Sequence, residues 1–414
     1  MTNDHLRPAT SNQQLATGRQ PPVATRLNGM RESVIREMTR RALAHGAINL
    51  AQGFPDFSPP VEILEAAHRA LDAGHNQYTI TWGIRELRDR ISAKMQNRYG
   101  LNYDPDRHIS ITCGVSEAIV ASMMGVANPG DEVILIEPFH ENYFPAVVFA
   151  QATPVFVPLE PPDYILDPDR LRRAFSNRTR AIILNSPHNP TGRVFTRSEL
   201  ESVASLCLEF GVVAITDEIY DHITYDDRPH IPLATLDGMF ERTITISGLG
   251  KTFAVTGWRL GYACAPEPFA TALRTVRDFM TICAPAPLQH AAVTAMELPE
   301  AYYLQLVREY TERRARMMTI LDENGFHARP PEGAYYVMSD FSGWGFEGDD
   351  FAFANYLIEQ VGVAVVPGSS FYFTKGLGRG LVRWVFAKKM ETLEAVAERL
   401  KNRAGSKWKV ASGR

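Results

Sequence analysis

The sequence predicts an α/β protein, with a large domain built on a mostly parallel sheet flanked by helices and a smaller α+β domain. The chain has 414 residues, of which 45% are hydrophobic, enough for a sizeable core and more than one simple domain needs. Amphipathic stretches alternate with short apolar runs between about residues 60 and 290, and this pattern changes after about residue 300. We therefore expect two domains, or one large domain with an appendage.

The N-terminal segment is the first feature along the chain. Its first twenty-five residues are polar, contain three prolines and lack the apolar core of a signal peptide, so we expect a disordered or loosely draped arm. Residues 31–45 have the pattern of an amphipathic helix, and we interpret their charge run as a solvated face. No uncharged apolar stretch approaches the length of a membrane span, which predicts a soluble, cytoplasmic protein.

Charge and cysteine content exclude several classes of function. The formal net charge is -4, from 43 basic and 47 acidic residues, so nucleic acid and membrane surfaces are poor candidates as partners. The 4 cysteines are widely spaced and form no CxxC pair. They predict neither a zinc site nor a disulfide framework, but buried thiols in a reducing compartment.

Strands are predicted by runs that are apolar almost without alternation, which suits strands buried on both faces of a parallel sheet. Between about residues 60 and 290 the runs are HISIT at 108, DEVILIE at 131, TPVFVPL at 153, RAIILN at 180, VVAITD at 212 and RTITIS at 242. A long charged helical stretch from residue 300 is followed by AYYVMSD, GVAVVPG and LVRWVFA. This second pattern predicts the smaller domain, closing over the first.

Candidate functional residues stand where buried parallel strands end, because helix N-termini converge there. Asp217 directly follows the run VVAIT, at the end of a predicted strand. A buried carboxylate needs a cationic partner, and a protonated pyridine nitrogen would be a fitting one, because a fixed anion keeps that ring able to accept electrons. The alternative is a capping or salt-bridged aspartate.

Two other strand ends offer groups for binding anions. The run RAIILN ends in Asn185 and continues as SPHNPTG, a tight turn in which Asn189 could donate an amide hydrogen to an anionic oxygen. Taken alone, NPTG is more often a simple turn. The run HISIT continues into a turn of small residues that opens a helix near Ser116, and the free N–H groups of that first turn suit a phosphate.

The run RTITIS leads into SGLGKTFAVTGWRLGY, residues 247–262. Lys251 lies there between glycines, where a partly desolvated amine has a lowered pKa and can attack a carbonyl to form a Schiff base. Eight residues later, Arg259 offers a guanidinium suited to phosphate. A nucleotide-binding P-loop is the alternative, but it requires glycine five positions before Gly250, where the chain has Thr245.

NPTG, DEIY and SGLGKTFAVTGWRLGY, in this order and spacing, resemble the fold type I enzymes that use pyridoxal 5′-phosphate (PLP). The resemblance is to class I aminotransferases of the subgroup that includes kynurenine, glutamine and methionine aminotransferases, and it spans about residues 25–400. It implies a seven-stranded sheet in the large domain, a homodimer, and ping-pong transfer of an amino group from an L-amino acid to a 2-oxo acid. The implied divisions are an arm (1–25), a segment packing with the small domain (26–58), the PLP-binding domain (59–298), the small domain (299–406) and a tail (407–414).

The resemblance also implies roles for residues around the ring of the cofactor. Lys251 would hold PLP as a Schiff base and move the proton of the substrate Cα. Asp217 would pair with the pyridine nitrogen, supported by Asn185, while Tyr220 and Asn189 would hold the phenolic oxygen. The residues implied to hold the phosphate are Gly114, Val115, Ser116 and Arg259.

Two positions depart from the pattern of the family. The family commonly has a phosphate-binding serine three residues before the lysine, but this chain has Gly248 there, and Ser247 one step earlier is the candidate. The aromatic residue that stacks on the cofactor is replaced by His140. We expect its imidazole to stack on the cofactor; the alternative places the ring outside the site, with Phe139 or Tyr143 nearby.

The resemblance implies substrate binding by Arg383, Gly53 and Asn189, and a further contact with the cofactor by Tyr78. Arg383 in LVRWVFA matches the arginine that binds the substrate α-carboxylate, although the residues alone predict only a surface strand position there. Gly53 matches a glycine whose backbone lines the substrate pocket. Tyr78 matches a tyrosine that reaches the phosphate in the partner subunit, which would make the active site depend on a dimer.

Several functions remain open at this point. No second arginine can be assigned to a side-chain carboxylate, so we expect neutral, aromatic or sulfur-containing donors, with an aspartate or glutamate aminotransferase as the alternative. A PLP-dependent C–S β-lyase acting on cysteine conjugates would share the steps up to loss of the Cα proton. A PLP-binding sensor is disfavoured because the chain has no DNA-binding helical module with a basic face. No metal site is predicted.

Overall fold

A computed structural model describes residues 24–27, 30 and 32–402 of the chain. By their internal contacts the residues divide into two units, with the boundary between residues 31 and 32 of the sequence. In the first unit, Thr25–Leu27 form a 3-10 turn. The predicted arm, apart from residues 24 and 25, and the predicted tail at 407–414 lie outside the described residues.

The second unit contains the regular helices and strands. The helices are α1 (Val34–His45), α2 (Val61–Asp72), α3 (Arg85–Tyr99), α4 (Gly114–Val126), α5 (Tyr143–Phe149), α6 (Pro168–Ala174), α7 (Arg197–Phe210), α8 (Phe269–Met280), α9 (Ala286–Met296), α10 (Glu300–Glu323), α11 (Asp350–Tyr356) and α12 (Met390–Lys401). The strands are β1 (Ile48–Asn49), β2 (Ile109–Thr112), β3 (Glu132–Glu137), β4 (Thr153–Pro158), β5 (Thr179–Asn185), β6 (Val213–Asp217), β7 (Thr243–Gly248), β8 (Gly261–Cys264), β9 (His327–Ala328), β10 (Tyr336–Asp340), β11 (Val363–Ala364), β12 (Val366–Pro367) and β13 (Leu381–Val385).

The large sheet has seven strands in the order β2-β8-β7-β6-β5-β3-β4. Its strands are parallel except for β8, which runs antiparallel to both β2 and β7. Both faces are buried: Ile183 and Ile215 pack into one hydrophobic cluster, whereas Ile182 and Leu184 pack into another on the opposite face. Double-sided burial explains why the runs are apolar without alternation. The predicted mostly parallel, seven-stranded α/β fold is confirmed.

Strand β8 was not predicted from the sequence. It has four residues and begins at Gly261, inside the stretch interpreted as a loop around Lys251. A side chain at Gly261 would collide with the backbone of Gly114 and Val115. This close approach brings the first turn of α4 against the segment that follows Lys251, and it requires glycine.

The smaller α+β region contains a four-stranded antiparallel sheet in the order β12-β13-β10-β9. The predicted run GVAVVPG is split, because β12 belongs to this sheet and β11 pairs instead with β1, near the N-terminus. Ile48 lies opposite Val363 in that pairing. The N-terminal segment is thereby tied to the C-terminal part of the fold.

None of the helices in the described part of the chain combines the length and the apolar character needed to span a bilayer.

Candidate active site

A cavity of about 510 Å³ opens where β5, β6 and β7 end and α4 begins. Parallel strands deliver their carboxyl ends to one edge of a sheet, which brings together residues that are distant in sequence. Most of the predicted site residues line this cavity: Gly53, Gly114, Val115, Ser116, His140, Asn185, Asn189, Asp217, Tyr220, Lys251, Arg259 and Arg383.

Asp217 ends β6 and is almost fully buried. Its Oδ2 accepts a hydrogen bond of 2.7 Å from the Tyr143 hydroxyl, and its Oδ1 accepts one of 3.2 Å from the Ile219 amide. Burial raises the pKa of the carboxyl to about 6, against the opposing effect of the Tyr143 hydrogen bond. Among the described residues no cation forms an ion pair with it, so the site holds a carboxylate that needs a cationic partner.

Lys251 reaches the same cavity from the loop after β7. Its Nζ donates a hydrogen bond of 2.7 Å to the carbonyl of Gly53, and the amine lies 5.9 Å from the centroid of the Tyr220 ring. Burial, together with the positive charge of Arg383, lowers the pKa of Lys251 to about 7. An amine with this pKa is substantially neutral near pH 7, and only the neutral amine acts as a nucleophile or base.

An anion cradle forms one end of the cavity. Gly114, with φ +78°, opens α4, and a Cβ there would collide with the guanidinium of Arg259. The first amides of a 13-residue helix therefore face the same space as an arginine fork. The Ser116 hydroxyl oxygen accepts a hydrogen bond of 2.7 Å from the side-chain Nδ2 of Asn142, which leaves the hydroxyl hydrogen of Ser116 free to donate.

Arg383 also lines the cavity and is completely buried. Its guanidinium donates to Asn189 Oδ1 at 2.9 Å and to the carbonyl of Ala51, and it lies 4.5 Å from the Tyr336 ring centroid. Burial lowers its pKa, and no carboxylate of the described residues pairs with it. A buried guanidinium without an anion suits the carboxylate of a ligand.

The NPTG turn is held by Asn185, whose side chain accepts a hydrogen bond of 2.7 Å from the Asn189 amide and donates to the carbonyl of Asp217. One asparagine therefore couples the ends of β5 and β6. This supporting contact agrees with the role that the family resemblance implies for Asn185.

His140 lines the cavity, with its ring edge-on to Tyr143 at a centroid distance of 5.9 Å. Burial and the nearby charge of Lys251 lower its pKa to about 3, so the imidazole is neutral at physiological pH. Its Nδ1 is buried and makes no hydrogen bond among the described residues. Stacking of this ring on the cofactor stays a prediction.

Two predicted residues are not brought to the cavity. Ser247 is buried, and its hydroxyl donates to the carbonyl of Glu218 at 3.2 Å, so we leave it out of the proposed phosphate site. Tyr78 is 76% exposed and does not line the cavity. The role implied for Tyr78 at the phosphate of a partner subunit stays a prediction.

Other cavity residues were missed by the sequence analysis. Tyr143 had been considered only as a neighbour of His140, whereas its hydroxyl binds Asp217. Tyr336 had been assigned only to a strand, but its hydroxyl lies 2.8 Å from that of Tyr220. Arg36 had been interpreted as part of a solvated helix face, and it lines the cavity. For these residues the sequence carries no local signal, because long-range packing decides which way they face.

The chemistry of these groups fits PLP. A phosphate needs the cradle at α4, a pyridinium needs an unpaired buried carboxylate such as Asp217, and an aldehyde needs a neutral amine such as Lys251. All three line one cavity, and the amine and the carboxylate are both shifted toward their neutral forms by burial. The residues present therefore fit the phosphate, the pyridine nitrogen and the aldehyde of the cofactor.

Comparison with known proteins gives a consistent result. The chain matches the family described as aminotransferase class I and II over residues 45–400. It is 40% identical over 386 residues to a probable N-succinyldiaminopimelate aminotransferase of Mycobacterium tuberculosis, covering 91% of this chain and 97% of that protein. It is 36% identical over 403 residues to kynurenine–oxoglutarate transaminase 3 of Mus musculus, covering 91% and 89%.

Solved structures are similar over nearly the whole chain. The N-succinyldiaminopimelate aminotransferase from Mycobacterium tuberculosis has a TM-score of 0.90 at 40% identity and covers 92% of this chain and 100% of that one. An Escherichia coli protein identified as having a methionine aminotransferase function has a TM-score of 0.88 at 32% identity, covering 92% and 100%.

Proposed function

The chain belongs to the class I and II aminotransferases, and we propose that it transfers the amino group of a neutral, aromatic or sulfur-containing L-amino acid to a 2-oxo acid. As a member of this family it is a PLP-dependent enzyme of amino-group transfer. One observation carries the proposal: Lys251, Asp217 and Arg383 line one cavity, and none of them has a counter-ion among the described residues.

PLP, when bound, withdraws electrons from the substrate Cα and so makes its proton removable. Lys251 would hold the cofactor, Asp217 would hold the pyridine nitrogen, and Tyr220 and Asn189 would hold the phenolic oxygen. The phosphate would lie on the first turn of α4, against Arg259. The Tyr143 hydroxyl keeps the Asp217 carboxylate oriented.

Arg383 would bind the α-carboxylate of the substrate, with its fork already oriented by Asn189. This contact places the Cα near Lys251, whose neutral amine takes the proton and returns it at a different carbon. Because the pKa of Lys251 is about 7, the amine can both accept and release a proton near neutral pH. Donor and acceptor would use the cavity in turn, which is ping-pong kinetics.

The side chains around the substrate support apolar and aromatic donors. Ile35, Phe54, Tyr220 and Tyr336 contribute to the cavity wall, together with a neutral His140. Burial of an apolar side chain against such a wall favours binding by about 1.5–3 kcal/mol. Among the relatives, one is named a kynurenine–oxoglutarate transaminase and another a methionine aminotransferase. Those names indicate an aromatic and a sulfur-containing donor for those two proteins.

A homodimer would complete the site. Tyr78 and Phe279 are exposed, at 76% and 88%, and Ile80 and Met280 are also exposed. A hydrogen bond of 2.6 Å from the Thr81 hydroxyl to Asp278 places the two segments next to each other. A surface of this kind suits a second copy of the chain, and Tyr78 would then extend toward the partner's phosphate. The four free cysteines are in keeping with a reducing, cytoplasmic location.

The test is a panel of amino acids, added one at a time to the PLP-loaded protein while the absorbance of the bound cofactor is followed. Methionine, phenylalanine and kynurenine are expected to convert the cofactor to its amine form. Conversion by aspartate and glutamate alone would contradict the proposal. Pyruvate and ammonia formed without an added 2-oxo acid would instead indicate β-elimination. Lys251→Ala is expected to abolish turnover while some cofactor still binds.

A further inference from the structure

Residues 52–54 line the cavity, and the carbonyl groups of this stretch are held by basic side chains. The segment lies between β1 and α2 and belongs to no helix or strand. Hydrogen bonds from side chains, rather than those of a sheet, therefore fix its course. These hydrogen bonds run from Arg383 to the carbonyl of Ala51, from Lys251 Nζ to that of Gly53 at 2.7 Å and from Lys388 Nζ to that of Phe54 at 2.9 Å.

Two of these three donors have other tasks in the proposed reaction. Lys251 would give its amine to the cofactor, and Arg383 would turn to the α-carboxylate of the substrate. Lys388 does not line the cavity, so neither the cofactor nor the substrate competes for it. The Tyr335 hydroxyl, 3.0 Å from the carbonyl of Gly53, is a second donor outside the cavity lining. Lys388 therefore keeps its hold on the segment when the site is occupied.

Lys388 is a buried amine without a counter-ion among the described residues. It is 3% exposed, and its Nζ lies 4.4 Å from the centroid of the Phe54 ring. Burial lowers the pKa of Lys388 to about 8, against the opposing attraction of Asp56. The two oxygens of Asp56 are occupied by the Lys389 amide and the Thr392 hydroxyl. Burying an unpaired ammonium costs stability, so its contacts with Phe54 are better explained by function than by folding.

The segment has no space to shift toward the tyrosines of the site. A Cβ at Gly53 would collide with the Tyr336 hydroxyl, which lies 2.8 Å from the Tyr220 hydroxyl. The next residue, Phe54, is held by Lys388 both at its carbonyl and at its ring. A change at Lys388 therefore alters the part of the cavity wall to which Phe54 contributes.

We propose that Lys388 is a positioning residue for substrate specificity: it holds Phe54 in the cavity wall, where the ring contacts the side chain of an aromatic donor. The inference rests on the proposed function, in which neutral and aromatic amino acids bind in this cavity. A ring held by an ammonium and a backbone hydrogen bond is already ordered before the substrate arrives. Less conformational freedom is then lost on binding. Lys388 thereby favours large apolar side chains over small ones.

The matched variants are Lys388→Met and Lys389→Met, which change adjacent lysines, the second with an exposed side chain. 3-Phenylpropanoate and propanoate do not react and differ by a phenyl ring, so titration calorimetry with the PLP-loaded protein isolates recognition of the ring. For Lys388→Met, the dissociation constant of 3-phenylpropanoate is expected to rise by about 10-fold and that of propanoate by less than about 2-fold. Lys389→Met is expected to bind both acids as the unaltered protein does.

A second substitution tests whether Lys388 acts through the ring. Phe54→Leu removes the ring but keeps the carbonyl, and it should weaken 3-phenylpropanoate by a similar factor. Adding Lys388→Met to Phe54→Leu should then have little further effect, because the two changes remove the same contact. Additive effects of the two substitutions, equal weakening of both acids by Lys388→Met, or no weakening would overturn the inference.

Stability separates this role from a purely structural one. Lys388→Met removes an unpaired buried cation, so urea unfolding should show no loss of stability. A Lys388→Met protein that fails to fold, or that is less stable yet binds 3-phenylpropanoate normally, would show that Lys388 is structural and would contradict the proposal. If no amino acid converts the cofactor, the proposed function fails instead, and the binding of the two acids still tests Lys388.

Discussion

Two buried regions follow the end of β6, and each contains a lysine and an aspartate. In the first, Lys94 donates to Asp221 Oδ2 at 2.5 Å and to the Tyr262 hydroxyl at 3.0 Å. In the second, the cavity, Lys251 donates to a backbone carbonyl and Asp217 accepts from a tyrosine hydroxyl and a backbone amide. The two aspartates are four residues apart and equally buried, yet only one has a cation.

The pKa values record the difference. Burial alone would lower the pKa of Lys94 and raise that of Asp221, but their mutual attraction outweighs burial and shifts both in the opposite directions. In the cavity burial prevails, lowering the pKa of Lys251 to about 7 and raising that of Asp217 to about 6. Lys94 and Asp221 therefore stay charged, and their ion pair stabilises the fold. The unpaired lysine and aspartate have pKa values close to neutral pH, and both are available to a ligand.

The largest expected effect comes from breaking the paired region. Asp221→Asn would leave Lys94 as an uncompensated buried charge and should lower the free energy of unfolding by about 3–5 kcal/mol. Chemical denaturation of the PLP-loaded protein measures this loss. Adding Lys94→Met to Asp221→Asn should restore part of the stability, because the orphan charge is then removed. Equal stability of Asp221→Asn and the unaltered protein would show that the pair is not structural.

The same substitution in the cavity should act on catalysis. Asp217→Asn removes the anion that would keep the pyridine nitrogen protonated, so kcat is expected to fall by about 10²–10³-fold. The measurement is transamination of an accepted donor with the cofactor saturating. Asp221→Asn is the control and should keep kcat within a few-fold at temperatures where it is folded. Comparable losses of kcat in both variants would show that the two aspartates do not differ in their contribution to catalysis.

Sequence reasoning reached Asp217, Asn185 and Lys251 because an apolar run predicts a buried strand, and the residue at the strand's end then lies at the edge of the sheet. It could not distinguish Asp217 from Asp221 by burial, since their partners come from distant helices and loops. Arg383 was assigned by resemblance alone. Its complete burial follows from β13 lying between β12 and β10, a long-range pairing that no local pattern reveals.

The pH dependence of stability separates the two aspartates by sign. The folded pKa of Asp217 lies above the value of 3.8 for a free carboxyl, so its contribution is fully present below pH 3.8 and is lost as the pH rises through about 6. Above that pH, cofactor-free Asp217→Asn should be more stable than the unaltered protein by about 3 kcal/mol. Asp221 has a lowered pKa, so its contribution is present above pH 3.8.

Urea unfolding of the cofactor-free protein at pH 4.5, 6 and 8 is the measurement. The advantage of Asp217→Asn should grow across this series, whereas Asp221→Asn should be destabilised at pH 6 and 8. An Asp217→Asn advantage that stays constant with pH would contradict the raised pKa of Asp217.

The smallest effect concerns one tyrosine from each region, Tyr336 in the cavity and Tyr262 beside Lys94. The Tyr336 hydroxyl lies 2.8 Å from the Tyr220 hydroxyl, and either one can be the donor. With Tyr336 as the donor, the Tyr220 hydrogen is left for the phenolic oxygen of the cofactor. Tyr336→Phe should remove about 1 kcal/mol of this support and raise the pH midpoint of the cofactor absorbance by about 0.7 units. Tyr262→Phe, which loses only a contact with Lys94, should lower stability and leave the midpoint unchanged. A shift of the midpoint in Tyr262→Phe would show that the region of Lys94 and Asp221 is coupled to the cofactor. The two regions would then not act independently.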